Sequence, residues 1–358
     1  MNLPKIRDDL SLLDGYHSPQ VDVEIRLNTN ESPIPPPIKL AEDLGQELLK
    51  VNWNRYPDRM ASQLHRDIAK FHNVDSSMVL AANGSNEVLQ SLLLTYGGFG
   101  RKASVFEPTY ALHSHISALT GTEVIIGECS KDFTIEESTV NAVLQQGPDV
   151  LFLCSPNNPT GVVAEREFVE SVIERCSSLG TLVIIDEAYG EFSDWSAVDL
   201  IREGSHIAVT KTFSKTWSMA GIRLGYVVAP SEIIENVRNV VLPYHLDSMK
   251  QIAGSLALQY IDDMHSRIDL LIEERERMAR KLSDLPVRQW PSGANFILFR
   301  PSDEAKISGE SLWEALLERS ILVRNCSSWP RLEGCLRVTI GTTEENNSFL
   351  EHLEAILV

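Results

Sequence analysis

The sequence predicts an α/β protein: a large domain with a mainly parallel sheet covered by helices on both faces, then a smaller α+β domain. Three observations carry this. Short runs of strong strand formers (78–82, 103–106, 149–154, 181–185, 206–209) alternate with helical patterns between about residues 60 and 230. The polar residues with chemical potential follow the carboxyl ends of those runs, where open parallel sheets bind ligands. The last third changes pattern: strands at 295–299, 321–324 and 336–340 interleave with helices at 310–319 and from 343 onward.

A chain of 358 residues is long enough for two domains with substantial cores. The net charge of −18, from 32 basic against 50 acidic residues, disfavours nucleic acid and anionic membranes as partners. A phosphorylated ligand must then be met by a local basic site. The five cysteines are odd in number and contain no CxxC pair, so reduced thiols and a cytoplasmic setting are expected. Lys5, Arg7, Asp8 and Asp9 stand where a signal peptide needs an apolar run, no apolar stretch is long enough to cross a bilayer, and no metal-ligand cluster is apparent.

Along the chain, residues 1–36 form a polar arm ending in Arg26-Leu27-Asn28-Thr29-Asn30-Glu31-Ser32-Pro33, and prolines run on through Pro37. Prolines at that density exclude helix and force an extended crossing. Segment 38–51 reads as an amphipathic helix with Leu40, Leu44, Leu48 and Leu49 on one side. Strand 78–82 runs into Asn83-Gly84-Ser85-Asn86-Glu87 and a helix through Leu94. Alone this is an ordinary turn with a serine cap. Beside a cationic cluster it becomes an anion site, because backbone N–H groups and the positive helix end face the ligand. Gly97-Gly98-Phe99-Gly100 matches no phosphate-loop pattern and reads as a turn.

Strand 103–106 leads to Tyr110, placed to stack on a flat heteroaromatic ring. Strand 149–154 leads to the turn Pro156-Asn157-Asn158-Pro159-Thr160-Gly161. Strand 181–185 delivers Asp186-Glu187-Ala188-Tyr189. A carboxylate there needs a charged partner, and a protonated pyridine nitrogen is one. The run 206–209 opens into Thr210-Lys211-Thr212-Phe213-Ser214-Lys215-Thr216, with Arg223 between Gly221 and Gly225. A lysine acting as an amine nucleophile needs burial and a nearby cation to lower its pKa. Hydroxyls of Thr212 and Ser214 together with Arg223 suit a phosphate dianion. Lysine and phosphate site together point to pyridoxal phosphate held as a Schiff base on Lys215. Lys211 is the rival lysine, at the strand end and outside the hydroxyl cluster.

Residues 242–246 read as a crossover, with His245 structural and general acid–base chemistry its alternative. Segment 262–285 is a long charged helix with Met264, Ile268, Leu271, Ile272, Met278 and Leu282 at helical spacing. Arg324 and Arg337 each sit on a strand and suit carboxylate or phosphate. The expected division is an arm at 1–36, a large cofactor-binding domain at 37–245, and a small domain at 246–358 completed by the arm.

The string T-F-S-K-T-W-S-M-A-G-I-R-L-G-Y resembles the Schiff-base segment of fold-type-I pyridoxal-phosphate aminotransferases, and most closely that of the histidinol-phosphate aminotransferases. L-N-T-N-E-S-P, N-R-Y-P, N-N-P-T-G and L-R-V-T-I-G are similar to further motifs of that family, in family order from Leu27 to about Asn346. The resemblance implies that Lys215 is catalytic. It implies a cofactor site of Ser85, Asn86, Tyr110 on the pyridine, Asn158 and Tyr189 on the ring oxygen, Asp186 on the ring nitrogen, and Thr212, Ser214 and Arg223. It places Tyr56 in the neighbouring subunit's site against the cofactor phosphate, so that a homodimer is the catalytic unit. It places Tyr16, Asn30, Arg324 and Arg337 near the substrate. The implied reaction transaminates L-histidinol phosphate with 2-oxoglutarate, giving imidazole-acetol phosphate and glutamate in histidine biosynthesis. An aromatic or broad-specificity aminotransferase would share every cofactor residue, and the loop Asn325 to Glu333 also resembles threonine-phosphate decarboxylases.

Overall fold

The computed structural model describes residues 4–10 and 21–358. Its strands fall into two sheets. The arm contributes β1 (Ile25–Leu27), and α1 (Ile38–Leu48) and α2 (Ser62–His72) follow. The larger sheet has seven strands: β2 (Val79–Ala82), β3 (Lys102–Glu107), β4 (Glu123–Glu128), β5 (Val150–Cys154), β6 (Leu182–Asp186), β7 (Ile207–Thr212) and β8 (Gly225–Val228), in spatial order β2-β8-β7-β6-β5-β3-β4. Neighbours from β7 across to β4 pair in parallel, and β8 runs antiparallel to both β7 and β2. The expected mainly parallel sheet is therefore present. The one reversal has a local cause: β7 and β8 are joined by the loop 213–224 without a crossover helix, so the chain returns beside the strand it left.

Helices α3 (Ser85–Tyr96), α4 (Leu112–Leu119), α5 (Glu137–Leu144), α6 (Arg166–Leu179) and α7 (Ser231–Arg238) connect and cover this sheet. Alternation along the strands decides which face each residue serves. Val150, Phe152, Leu182, Ile184 and Ala208 pack with Leu89 and Leu92 of α3 and Ile234 of α7. Leu151, Leu153, Val183, Ile185 and Val209 pack with Val169 and Val172 of α6. Both faces are buried, which is why these strands read as continuous apolar runs.

After α7 come α8 (Ser248–Ala257), which packs on α1 and α2, and the long α9 (Ile261–Ser283). Met264, Ile268, Leu271, Met278 and Leu282 form the buried face of α9, as their spacing requires. The smaller sheet holds β9 (Val287–Gln289), β10 (Phe296–Pro301), β11 (Ile321–Asn325) and β12 (Leu336–Thr339), with α10 (Gly309–Leu317) and α11 (Thr343–Leu357) packed alongside. Its order is β1-β11-β12-β10-β9, and β1 joins in parallel through Ile25↔Ile321 and Leu27↔Val323. The arm thus crosses from the smaller sheet to the larger one and carries residues 28–32 over the carboxyl ends of the parallel strands.

The expected apolar side of α1 is only partly buried. Leu40 is in the core, but Leu49 lies past the helix end and is 79% exposed. Among the described residues no helix is long and apolar enough to cross a membrane.

Candidate active site

The carboxyl ends of β2, β5, β6 and β7 open into one cavity of about 420 Å³. Ser85, Asn86, Tyr110, Asn158, Asp186, Tyr189, Thr212, Ser214, Lys215, Arg223, Asn30 and Arg337 all line it. These twelve expected residues come from seven stretches of chain and meet because register places the strand ends side by side: Cys154↔Asp186, Asp186↔Thr210 and Thr212↔Gly225.

At one end lies an anion cradle. Gly84 has φ +85° and turns the chain so that Ser85 opens α3. A Cβ on Gly84 would stand 2.8 Å from Arg223 Nη2, and one on Gly225 would stand 2.3 Å from the Ser85 nitrogen. Glycine at both positions is what lets the α3 N-terminus, β8 and the Arg223 guanidinium close on one spot. Arg223 Nη1 donates to Ser214 Oγ at 3.2 Å, and Thr212 Oγ1 donates to the same oxygen at 3.0 Å. Two hydroxyls, an arginine and helix-end N–H groups form a donor set for a phosphate dianion.

The floor is Asp186, only 2% exposed. Its Oδ1 accepts from the Ala188 N–H at 3.0 Å, and its Oδ2 lies 2.9 Å from His113 Nε2. His113 went unnoticed in the sequence. It sits in α4 three residues after Tyr110, its N–H bonded to the Tyr110 carbonyl, and its ring stacks on Phe152 at 4.7 Å and meets Tyr110 edge-on. The available signal was a histidine at helical spacing from Tyr110 inside an apolar helix. His113 is a positioning residue: it donates to Asp186 and holds the carboxylate toward the cavity.

Lys215 reaches in from the loop after β7. Its Nζ donates to the Thr29 carbonyl at 2.9 Å and stands 5.9 Å from the centre of the Tyr189 ring. Burial first, then Arg337 and Arg223, lower the amine against the opposing pull of Glu31, to about 7. A neutral amine is thus available near neutral pH. The Tyr189 hydroxyl accepts from Asn30 Nδ2 at 2.8 Å, and burial raises it to about 12. Asn30, at φ 55°, also bonds Thr339 through its N–H and its Oδ1. Arg337 donates to Asn158 Oδ1 and to the Asn28 carbonyl, leaving its buried Nε without a partner.

Three expected residues are not in this set. Arg324 pairs across strands with Arg337 and lies beside Trp329, outside the cavity lining. Tyr56 is 79% exposed and stacks on Tyr244 at 4.5 Å. Tyr16 falls outside the described residues. His245 hydrogen-bonds the Ala81 carbonyl at 3.0 Å and does not line the cavity.

The rival lysine is placed differently. Lys211 lies within β7, is 2% exposed, and bridges Glu187 at 2.9 Å and Glu191 at 3.1 Å. Burial opposes its charge, but the two carboxylates outweigh burial and hold the ammonium above its ordinary value. It is a fixed cation and no nucleophile. Glu187, for which the sequence suggested no chemistry, is its counter-ion and also accepts from Ser196 Oγ and the Ala197 N–H. Lys211→Met leaves two buried carboxylates uncompensated, so unfolding in urea should show a loss of about 3–5 kcal/mol.

A pyridoxal phosphate fits this donor set: the cradle takes a dianion, and the buried Asp186 carboxylate at the opposite end takes a pyridinium. The family model for class I and II aminotransferases matches residues 22–353. A histidinol-phosphate aminotransferase of Frankia casuarinae is 39% identical over 359 residues, covering 96% of this chain and 88% of that one. The histidinol-phosphate aminotransferase of Clostridium acetobutylicum superposes with a TM-score of 0.86 at 22% identity, covering 93% of this chain and 98% of that one. That of Sinorhizobium meliloti, solved with pyridoxal 5′-phosphate, gives 0.85 at 19% identity, over 94% and 91% of the two chains. The chain belongs to the class I and II aminotransferase family and is a pyridoxal-phosphate-dependent transaminase.

Proposed function

We propose that this chain is a histidinol-phosphate aminotransferase, moving the amino group of L-histidinol phosphate to 2-oxoglutarate in histidine biosynthesis, in the cytoplasm. The observation that carries the reading is the near-full-length similarity to the Frankia casuarinae enzyme, joined to a cavity that holds a nucleophilic lysine, an anion cradle and a second arginine.

When bound, pyridoxal phosphate supplies an electron sink that stabilises a carbanion at the donor's amine-bearing carbon. The chain's residues do the rest. Ser85, Thr212, Ser214 and Arg223 bind the cofactor phosphate. Asp186, held by His113, keeps a proton on the ring nitrogen. Tyr110 would cover the ring face, and Asn158 and Tyr189 would hold the ring oxygen. The Lys215 amine would hold the cofactor at rest and, when free, would take the proton from the donor carbon as general base and give it back as general acid. Arg337 offers its unpartnered Nε to the donor's anionic group.

Steady-state kcat/KM with histidinol phosphate against phenylalanine tests the substrate. The reading requires histidinol phosphate to be preferred by at least about a hundredfold, the range set by desolvated polar recognition. Preference for phenylalanine would make this an aromatic aminotransferase, and carbon dioxide release from threonine phosphate would make it a decarboxylase.

The dimer belongs to the same proposal. Tyr56, Trp53, Met60, Leu242 and Tyr244 are exposed, and the Tyr56–Tyr244 stack gives this surface an apolar, ordered centre fit for a second copy. Tyr56 would then serve the partner's cofactor phosphate. Coexpressing an inactive Lys215→Ala chain with an impaired Tyr56→Ala chain should restore part of the activity, since one mixed site receives the intact lysine and the intact tyrosine. Activity no higher than the sum of the separate variants, with heterodimers demonstrated, means that Tyr56 serves its own chain or none.

A further inference from the structure

Among the described residues two carboxylates line the cavity, and one of them has a partner in the proposed cofactor. Asp186 lies at the floor, where it would pair with the ring nitrogen. The other, Glu31, lies at the mouth, with its side chain 51% exposed. Its backbone is held on both sides. The Thr29 carbonyl accepts from Lys215 Nζ at 2.9 Å. Asn30 is bonded to Tyr189, Thr339 and Asn295. Ser218 Oγ bonds Ser32 Oγ at 2.8 Å. A carboxylate on so fixed a segment is placed by the fold, while its own charge has only a weak claim on it: Arg26 Nη2 stands 4.0 Å from Oε2. Its field reaches the reacting amine, since it is the one carboxylate that raises Lys215 against the pull of burial and the two arginines.

The donor in the proposed reaction carries three groups to be recognised. The amine goes to the cofactor. The phosphate suits Arg337. The imidazole, an N–H donor or a cation, needs an acceptor, and among the described residues the remaining unassigned acidic group of the cavity is Glu31. We propose that Glu31 accepts a hydrogen bond from the imidazole N–H of the donor and sets the preference for that ring over an apolar one. This rests on the histidinol-phosphate reading above. Arg26 gives the carboxylate a resting partner when glutamate, which has no imidazole, occupies the cavity.

The test compares two donors that differ only in the ring, histidinol phosphate and phenylalaninol phosphate, in the holoenzymes of the parent, Glu31→Leu and Glu31→Gln. The ratio of their kcat/KM values is the readout, because a role exerted through Lys215 or through the arm would change both donors alike. Glu31→Leu should lower the ratio by about tenfold or more, the scale of one charge-assisted hydrogen bond at a half-open site. Glu31→Gln, which keeps an acceptor oxygen, should fall between Leu and the parent. An unchanged ratio in Glu31→Leu overturns the assignment, and so does an equal loss on both donors. If the parent itself does not turn over histidinol phosphate, the functional reading fails and this inference falls with it. If the parent does and the ratio holds in the variants, only the inference falls.

Discussion

Lys215→Ala should lose nearly all transaminase turnover, by at least roughly 10²–10⁴-fold, the share a positioned proton-transfer group contributes, and should lose the absorbance of lysine-bound cofactor with it. The fold should survive. The Nζ hydrogen-bonds the Thr29 carbonyl, and burial already disfavours its charge. The same depression fixes a pH dependence. An ordinary lysine amine is neutral only above about pH 10.4, whereas Lys215 loses its proton near 7. Capture of pyridoxal phosphate by apoenzyme should therefore rise with pH through about 7 and level off above it, followed as absorbance growth in stopped flow. A rise centred near 10 would mean that the amine is neither desolvated nor set among Arg337 and Arg223 as described.

Asp186→Asn is the second large effect. The amide keeps the shape and can still accept from the Ala188 N–H, but it cannot pair with a ring cation. Each unit lost from the ring nitrogen's pKa is worth about 1.4 kcal/mol, and a neutral ring is a poor electron sink. Turnover should fall by about 10²-fold or more with cofactor still held by Lys215 and the phosphate cradle. Unchanged turnover with cofactor bound would remove Asp186 from the ring nitrogen.

The fold class was legible because parallel strands buried on both faces must be apolar throughout. Runs such as Val150–Cys154 and Leu182–Asp186 stand out in any composition. The cavity-lining residues were legible for a related reason: they cluster in short strings at strand ends, so Asp186, Lys215 and Asn158 are found by looking just past each apolar run. What stayed hidden depends on pairing over long sequence separations. Nothing near Asp186 in the chain announces His113, 73 residues earlier. The burial of Lys211 against Glu187 and Glu191 appears only once β7 is packed beside β6. The union of β1 with β11 joins Leu27 to Val323, and no local pattern in a proline-rich arm specifies that partner. Leu49 misled for the opposite reason: its spacing suits a buried helix face, yet the helix ends at Leu48 and leaves it in solvent.

The central claim is that Lys215, and no other lysine, holds the cofactor. Reducing the holoenzyme with borohydride, digesting it and sequencing the pyridoxyl-bearing peptide by mass spectrometry tests this directly. The geometry requires the label on Lys215, whose amine is near neutral and lines the cavity. A label on Lys211, or on any lysine outside the cavity, would contradict the account.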